Sequence, residues 1–420
     1  MQQTSVLFDE GVAQSGGNLS AINCVGANIG CTQSNTTGTI TYTATDASRP
    51  FRIMIATYSG NNPDVQGTTT EVFDFAISTM GGLLPSTSGT IYVSAGDYIY
   101  SGKKTTVPAN VEIIFDKGAW IKWDTARPWN SIFAVSGTIT NPNLDITTSI
   151  VIPLGNPGYA IFDMWGGGKV RGGEGKLFFN MVSLNDYSPL IANFGPLSRN
   201  AEVSNFTVST FSIVQTANSP QSMTMFGIDG STGGSIINFR TKSKSETAGA
   251  SIGILNVESC DGFLISGGDW EWNGNTVATI GGFSDTGEMI RGFKWIDTNI
   301  RLKTDATTSG SIDISPTTAV LISSGNAIDN LNIIYDVATT NPLIRFSAPA
   351  LAFGAITISN NRIFHNTPGS SGGGFLVDGG GVVNLLFMNN SIWGTTGCMS
   401  DSGTGTKWAG NENYCQGNEQ

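Results

Sequence analysis

A six-residue pattern of alternating apolar and polar positions recurs along the second half of the chain. Each copy has apolar residues at its first and third positions and ends on Gly, Asn, Asp or Thr. This alternation predicts a strand with one buried face, and the polar or small ending predicts a tight turn. The copies begin at Phe263, Phe293, Leu331, Ile356 and Leu385.

The spacing of these copies predicts the architecture. Successive starts are 30, 38, 25 and 29 residues apart, and in four copies an apolar residue follows seven positions after the start. A repeat of this length is typical of stacked coils, each of which buries its core against its neighbours. The predicted fold is all-β, a right-handed, single-stranded parallel β-helix. The last four starts are expected to be buried in one line.

The composition fits a chain of short strands and tight turns. The 420 residues include 54 Gly, and only 13% of the residues are charged. Glycine and asparagine tolerate the positive φ angles that corners require. The tandem pairs Asn360-Asn361 and Asn389-Asn390, with Asp297-Thr298 in an earlier copy, predict a ladder of turn side chains that hydrogen-bond from coil to coil.

The charge balance narrows the class of partner. A net charge of −11 argues against nucleic acid, because phosphate binding needs clustered Lys and Arg. No apolar run approaches the ~18–20 residues that a membrane-spanning helix needs, so no membrane insertion is expected. The N-terminus, Met1–Ser5, has neither a basic start nor an apolar segment. We therefore expect no signal peptide and synthesis in a cytoplasm.

The five cysteines carry little chemistry. Cys24 with Cys31, and Cys398 with Cys415, could form two local disulfides and leave Cys260 unpaired. Free, mostly buried thiols are the favoured alternative. No Cys/His spacing indicates zinc, so neither a metal nor a cofactor is predicted.

Three regions follow from the changes in pattern. Residues 1–66 are rich in Gly, Ser and Thr and are predicted to be a small β-rich attachment region. Residues 67–395 are predicted to be the β-helix, including a short helix at about 68–81 that covers the open end of the first coil. The helix prediction depends on a capping box at Thr68–Glu71 and an apolar stripe after it. Residues 396–420 form a short tail.

The segment after the helix resembles a known family. Gly89-Thr90-Ile91-Tyr92-Val93-Ser94-Ala95-Gly96-Asp97-Tyr98, followed by Val107–Phe115, is similar to the entry of the pectate-lyase-like β-helix superfamily. The sequence has Ser94 where proline is usual, and it lacks the Asp-rich start of the preceding helix. Within that superfamily the acidic chain with an N-terminal appendage most resembles bacteriophage tailspike proteins.

The resemblance carries several expectations. It implies a homotrimer that projects from the tail of a virion and binds a polysaccharide on the surface of the host bacterium. It also implies that the N-terminal region contacts other tail proteins. Two alternatives stay open: a structural or decoration β-helix of the virion that binds no sugar, and a free polysaccharide lyase. The lack of a signal peptide argues against the free lyase.

Aligning the copies predicts one exposed strip of candidate site residues. Glu271 and Arg301 fall at the same outward position in neighbouring coils, Asp269 lies beside them, and Phe364 and Trp393 continue the line in later coils. Aromatic rings can stack on the C–H faces of sugars, and carboxylates accept hydrogen bonds from hydroxyls. The strip is therefore a candidate sugar-binding surface.

Two carboxyls on this strip could cleave a glycosidic bond. Such reactions need carboxyls about 5–5.5 Å apart for retention or ~6.5–9.5 Å apart for inversion. Asp269 and Glu271 are two residues apart on one strand, which separates their Cα atoms by roughly 6.5–7 Å. Glu271 would be the acid, although Arg301 beside it favours the ionised form and would leave that role to Asp269. Alternatively, Glu271 and Arg301 form only an exposed ion pair. Arg301 and Lys303 could bind an acidic sugar.

Two further predictions concern groups outside the strip. The only histidine, His365, is expected to be packed rather than to act as a general base. A metal-assisted lyase would need clustered carboxylates and a base. Glu258 and Asp261, with Arg291 or Lys294, are the nearest match to that pattern.

Overall fold

The structure, a computed structural model, describes the chain in stretches separated by gaps, and among them it contains one helix, Glu71–Leu83. The described residues are 6–9, 12–15, 29–33, 40–44, 51–57, 63–83, 89–123, 130–152, 160–181, 188–215, 223–243, 252–273, 277–281, 289–303, 312–314, 321–336, 342–347, 356–366, 374–378, 385–394, 399–401 and 406–414.

Most strands pair in parallel with the equivalent strand one coil away, which confirms the predicted all-β parallel β-helix. The strands stack in three columns. Column 1 contains Phe51–Ala56, Gly89–Val93, Val111–Phe115, Thr138–Thr140, Lys169–Arg171, Glu202–Ser204, Ser235–Ser243, Leu264–Trp272, Lys294–Ile296, Asn326–Asp329, Ile356–Ser359, Leu385–Met388 and Lys407–Ala409.

Column 2 shares the long strands Ser235–Ser243 and Leu264–Trp272 with column 1, and together with Val65–Gln66 the two columns make one 24-stranded sheet. Its other strands are Gly96–Ile99, Ala119–Lys122, Asn143–Ile152, Glu174–Met181, Thr207–Gln215, Asn299–Leu302, Asn332–Tyr335, Arg362–His365, Ser391–Trp393 and Glu412–Tyr414.

Column 3 is a 13-stranded sheet. Its strands are Thr105–Val107, Phe133–Val135, Phe162–Gly166, Ser188–Ser198, Met223–Thr232, Ile252–Asp261, Ala278–Ile280, Ile312–Ile314, Ile344–Ser347, Phe375–Asp378 and Met399–Asp401, with Met289–Arg291 and Leu321–Ile322 paired beside them.

The columns extend beyond the predicted ends of the β-helix. Phe51–Ala56 pairs in parallel with Gly89–Val93, so the sheet begins inside the predicted attachment region. Lys407–Ala409 and Glu412–Tyr414 continue columns 1 and 2 within the predicted tail. The division into three regions stays a prediction. The remaining N-terminal strands form two antiparallel hairpins, Val6–Asp9 with Val12–Ser15 and Ile29–Gln33 with Ile40–Ala44.

One part of the predicted register is wrong. Phe293, Leu331, Ile356 and Leu385 are all buried, as expected, but Leu331 does not lie in line with the other three. Asn326 takes that position between Phe293 and Ile356. Its side-chain oxygen accepts the Phe293 N–H at 2.9 Å, and its amide donates to the Ser323 carbonyl at 2.6 Å. An asparagine can occupy a core position when its hydrogen bonds are made, and a search for apolar residues at the start of each coil does not find it.

The turn between columns 1 and 2 uses the same backbone conformation in coil after coil. Asparagine or aspartate there has φ between 51° and 55°, the left-handed region that these short polar side chains tolerate. The turn residues are Asn141, Asn205, Asn238, Asp297, Asn330, Asn360 and Asn389, with Gly172, Gly267 and Gly410 at equivalent places.

The second residue of each tandem asparagine pair points into the core and forms the predicted ladder. The Asn361 amide donates to the Asn390 side-chain oxygen at 2.9 Å, and the Asn390 amide donates to that of Asn411 at 2.9 Å. Asn390 also donates to the Ile358 carbonyl and accepts the Asn361 N–H. Asn361 and Asn390 are fully buried, so each polar atom needs these partners.

The helix packs its apolar stripe against the first coils. Phe73 is fully buried, with its ring 5.6 Å from the rings of Tyr98 and Phe115. The predicted capping box does not form. Thr68 and Thr70 exchange backbone hydrogen bonds with Ile99 instead, so the helix begins at Glu71. No helix in the described stretches has the length and apolar character to cross a membrane.

Cys260 is a buried free thiol in column 3. Burial raises its pKa to about 12, so the thiol stays protonated and unreactive. The side chains of the other four cysteines lie outside the described part of the chain, and so do the two predicted disulfide alternatives.

Candidate functional site

The outward side chains of column 2 form two parallel rows along the β-helix. Neighbours in a row come from neighbouring coils and are paired through their strands. The first row is Arg240, Asp269, Asn299, Asn332 and Arg362. The second row is Lys242, Glu271, Arg301, Ile334, Phe364 and Trp393.

The rows bring together the strip that the sequence predicted. Glu271 pairs with Arg301 and Asp269 pairs with Asn299 in adjacent strands. Between them Trp270 and Trp272 point inward and are buried, because side chains alternate faces along a strand. Two buried indole rings therefore hold this strand in the core, and the two carboxylates between and beside them lie on the surface, in the local sequence Asp269-Trp270-Glu271-Trp272.

A groove runs over the middle of the two rows. Its volume is about 660 Å³, and it extends from Thr207 to Ile334 across five coils. The charged and amide side chains along it are Arg240, Lys242, Asp269, Glu271, Asn299, Arg301 and Asn332. Both predicted catalytic carboxylates thus line one open groove.

The ion pairs in the groove differ from the expected one. Glu271 pairs with Lys303 at 2.6 Å, whereas Arg301 pairs with Asp336 of the next coil at 2.6 Å. Asn366 adds a hydrogen bond to Asp336 at 2.6 Å. The Arg301 hydrogen bonds hold the pKa of Asp336 below its usual range, and they raise the pKa of Arg301. Arg301 therefore pairs with Asp336 of the next coil rather than with Glu271.

Asp269 has looser partners. Its carboxylate accepts the Asn299 amide at 2.9 Å and lies 3.7 Å from the Arg240 guanidinium. The side chains of Arg240 and Asp269 are each about two-thirds exposed, 64% and 65%. An ion pair at this distance in water is weak. Both side chains can therefore exchange each other for a ligand.

Aromatic rings occupy the far end of the second row. Phe364 is 45% exposed, and the half-buried Trp393 lies next to it, with ring centroids 6.4 Å apart. Ile334 separates them from Arg301. The predicted outward line is thus present, and the Phe364 and Trp393 rings lie three and four coils beyond the carboxylates.

His365 points inward, as predicted for a packed histidine. It is 3% exposed and stacks on Tyr335 with ring centroids 5.4 Å apart. Neither ring nitrogen has a hydrogen-bond partner among the residues that the structure describes. Burial lowers the pKa of His365 to about 4. A neutral imidazole in the core cannot serve the groove as a general base.

The side chains predicted to form the alternative lyase cluster have separate partners. Asp261 forms an exposed ion pair with Arg291, which lowers the pKa of Asp261. Glu258 accepts a hydrogen bond from Asn256 at 2.7 Å. In the described stretches no three His, Cys, Asp or Glu side chains come together as a metal site would require.

Sequence reasoning missed Arg240 and Lys242, which form one wall of the groove. Their strand begins at Ser235 after Gly234, so it lacks the apolar start of the repeat. Gly234 stands where Phe263 stands one coil later, and a Cβ at Gly234 would collide with the Phe263 ring. The alternation Phe239-Arg240-Thr241-Lys242 was the available signal, because it repeats the pattern of Asp269–Trp272.

No family model matches the sequence, and a comparison with curated proteins finds no match. Several solved structures resemble the fold at low identity. One is a tailspike protein mutant of E. coli bacteriophage HK620 in complex with a hexasaccharide, at 12% identity and TM-score 0.43 over 83% of this chain and 58% of that one. Another is the surface adhesin PfbA of Streptococcus pneumoniae, at 12% identity and TM-score 0.40 over 82% and 92%. The A-module of a mannuronan C-5 epimerase of Azotobacter vinelandii gives 10% identity and TM-score 0.39 over 84% and 96%.

Proposed function

We propose that this protein binds a polysaccharide along the outer groove of column 2. The observation that carries the proposal is the outer face of column 2, where a groove lined by charged and amide side chains is followed, along the same two rows, by exposed aromatic rings. Successive coils repeat every ~4.8 Å, so the rows offer hydrogen-bonding groups at regular intervals. A linear polymer with many hydroxyls matches such a surface better than a compact ligand does.

The polar groove and the aromatic rings beyond it suit different parts of a sugar. Asn299 and Asn332 present amides that can both donate to and accept from hydroxyls. Phe364 and Trp393 present apolar ring faces on which the C–H face of a pyranose can pack. Because the rings and the polar groups come from the same rigid sheet, the site is preformed and little ordering is needed on binding.

A binding experiment tests this function directly. The full chain is applied to immobilised bacterial surface polysaccharides and to whole bacterial cells, and we expect retention on at least one polysaccharide and on cells that display it. Trp393→Ala should weaken that retention. If neither polysaccharides nor cells retain the protein, the groove is not a glycan site and the non-enzymatic structural role becomes the better explanation.

The setting we propose is a virion tailspike, assembled as a homotrimer. This part of the proposal rests on the resemblance of the Gly89–Tyr98 segment to β-helix entry segments and on the N-terminal hairpins, which are separate from the columns. Sedimentation of the full chain should give three times the mass of one chain, 44.1 kDa. A monomer at micromolar concentration would contradict the trimer.

Cleavage of the bound glycan is a further step of the proposal. Asp269, whose ion pair with Arg240 is loose, would be the acid, and Glu271, held by Lys303, would act as base or nucleophile. Release of reducing ends is measured for the wild type, Asp269→Asn and Glu271→Gln on a polysaccharide that the protein binds. We expect both variants to lose cleavage. Undiminished cleavage by both would exclude these carboxylates, and no cleavage by the wild type would leave a binding protein.

A further inference from the structure

The cations in and beside the groove are not equivalent, because only some of them are already neutralised by a close carboxylate. Lys303 is held by Glu271 and Arg301 by Asp336, each at 2.6 Å. Among the described residues, Arg240 has one carboxylate within ion-pair distance, that of Asp269 at 3.7 Å. Lys242 is exposed and forms no ion pair with any described residue. The two available cations therefore lie side by side on one strand, at one wall of the groove.

The local charge contrasts with that of the whole chain. The chain carries a net charge of −11, whereas the groove is lined by three cations, Arg240, Lys242 and Arg301, and two anions, Asp269 and Glu271. Since Arg301 is satisfied by Asp336, the excess positive charge resides at Arg240 and Lys242. In an acidic protein such a positive wall attracts an anionic group to one end of the groove.

From these contacts we propose that Arg240 and Lys242 form a carboxylate subsite, and that the polysaccharide bound in the groove contains an acidic sugar. This inference rests on the proposed polysaccharide binding. A guanidinium and an ammonium are the side chains that bind carboxylates through charged hydrogen bonds. Arg301 and Lys303, which the sequence suggested for this role, are engaged within the chain and serve to hold Asp336 and Glu271 in place.

The position of the subsite also determines at which end of the groove the acidic sugar binds. Arg240 lies four coils from the level of Phe364, a distance of about 19 Å at ~4.8 Å per coil. A chain of several sugar units can therefore place its carboxylate on Arg240 and Lys242 while a distant unit packs on the Phe364 and Trp393 rings. The ionic contact selects the sugar type, and the rings add contact area.

The test compares each retained polysaccharide in its native form and after chemical reduction of its carboxyl groups. Reduction should weaken binding of the wild type by about tenfold or more, the loss expected for charged hydrogen bonds. Arg240→Gln and Lys242→Gln should each weaken binding of the native form by about tenfold and leave binding of the reduced form unchanged. Lys294→Gln, an exposed lysine on column 1, is the matched control and should change neither. Thermal melting confirms that all variants are folded.

The other outcomes overturn the inference in distinct ways. Equal binding of the native and reduced forms, or equal losses on both forms in the two variants, would mean that these cations do not read a carboxylate, while the proposed function would stand. If the wild type retains no polysaccharide in either form, the proposed function fails, and the subsite fails with it.

Discussion

Two ladders of polar side chains run up the same sheet, one inside the β-helix and one outside. Inside, the amides of Asn361, Asn390 and Asn411 join at 2.9 Å. Outside, the Asn299 amide reaches Asp269 at 2.9 Å, and the Asn332 amide reaches Asn299 at 3.3 Å. The hydrogen-bonding pattern is similar in the two ladders, but the burial of the side chains differs. In the inner ladder, hydrogen bonds between buried side chains take the place of hydrogen bonds to water. In the outer ladder, water competes for the same side chains, so they can exchange their partners for a ligand.

The largest expected effect comes from breaking the inner ladder. Asn390→Leu keeps the number and branching of the side-chain heavy atoms, and leucine already occupies the equivalent turn position at Leu331. The substitution removes the partners of the Asn361 N–H and of the Ile358 carbonyl, both in the core. Two buried groups without partners should lower the free energy of unfolding by about 4 kcal/mol. Chemical denaturation measures the change.

The control for this prediction lies on the outer ladder. Asn332→Ala removes an exposed amide that donates to Asn299, and it should change the free energy of unfolding by less than about 0.5 kcal/mol. Equal losses in Asn390→Leu and Asn332→Ala would contradict the distinction between the two ladders.

The second prediction uses the buried histidine, which is adjacent in sequence to the exposed Phe364. The folded state holds the pKa of His365 at about 4, below its usual value of 6.5. Between these values the unfolded chain binds a proton that the folded chain does not. The free energy of unfolding should therefore fall as pH drops from about 7 to 4, by about 3 kcal/mol for this group.

His365→Leu isolates that contribution, since Leu302 occupies the same inward position two coils earlier. The variant should lose less stability than the wild type over the same pH interval. The carboxylates contribute equally to both proteins, so the difference between the two curves reports the histidine alone. Parallel curves for the two proteins would show that His365 titrates normally.

The sequence predicted the fold well because one face of each strand is buried. The alternation of apolar and polar residues correctly aligned Trp270 with Ile300 and Trp272 with Leu302. The same alignment paired the strand positions of Glu271 and Arg301. It misassigned Leu331, because the real first strand of that coil begins with the polar Asn326. Core asparagines obey hydrogen bonding rather than hydrophobicity, so a hydrophobic pattern does not reveal them.

The site was less predictable than the fold. The positions of Asp269, Glu271, Phe364 and Trp393 followed from the period of two. The ion-pair partners of the charged residues could not be predicted, because a long Arg or Lys side chain can reach a carboxylate in either neighbouring coil. Only the three-dimensional structure shows that Arg301 pairs with Asp336, while Glu271 pairs with Lys303. Arg240 and Lys242 were missed since their coil starts with glycine.

The third prediction concerns the outer aromatic rings, whose removal should affect binding far more than stability. Phe364→Ala and Trp393→Ala should each weaken binding of a retained polysaccharide by about tenfold, as expected for the loss of one ring contact. Leu197→Ala removes another exposed apolar side chain, 61% accessible, on column 3, and should leave binding unchanged. Equal losses in all three variants would point to a general surface effect.

The smallest expected effect distinguishes an ion pair on the surface from a buried ladder. In a double-mutant cycle of Glu271→Gln and Lys303→Gln, the coupling free energy should be below about 1 kcal/mol, because both side chains are about one-third exposed and water screens their charges. It should decrease further as salt rises. A matching cycle on Asn361 and Asn390, each changed to Leu, should give a larger coupling that does not depend on salt. A coupling above about 1.5 kcal/mol for Glu271 and Lys303 would make that pair part of the scaffold, and it would then be unavailable to a ligand.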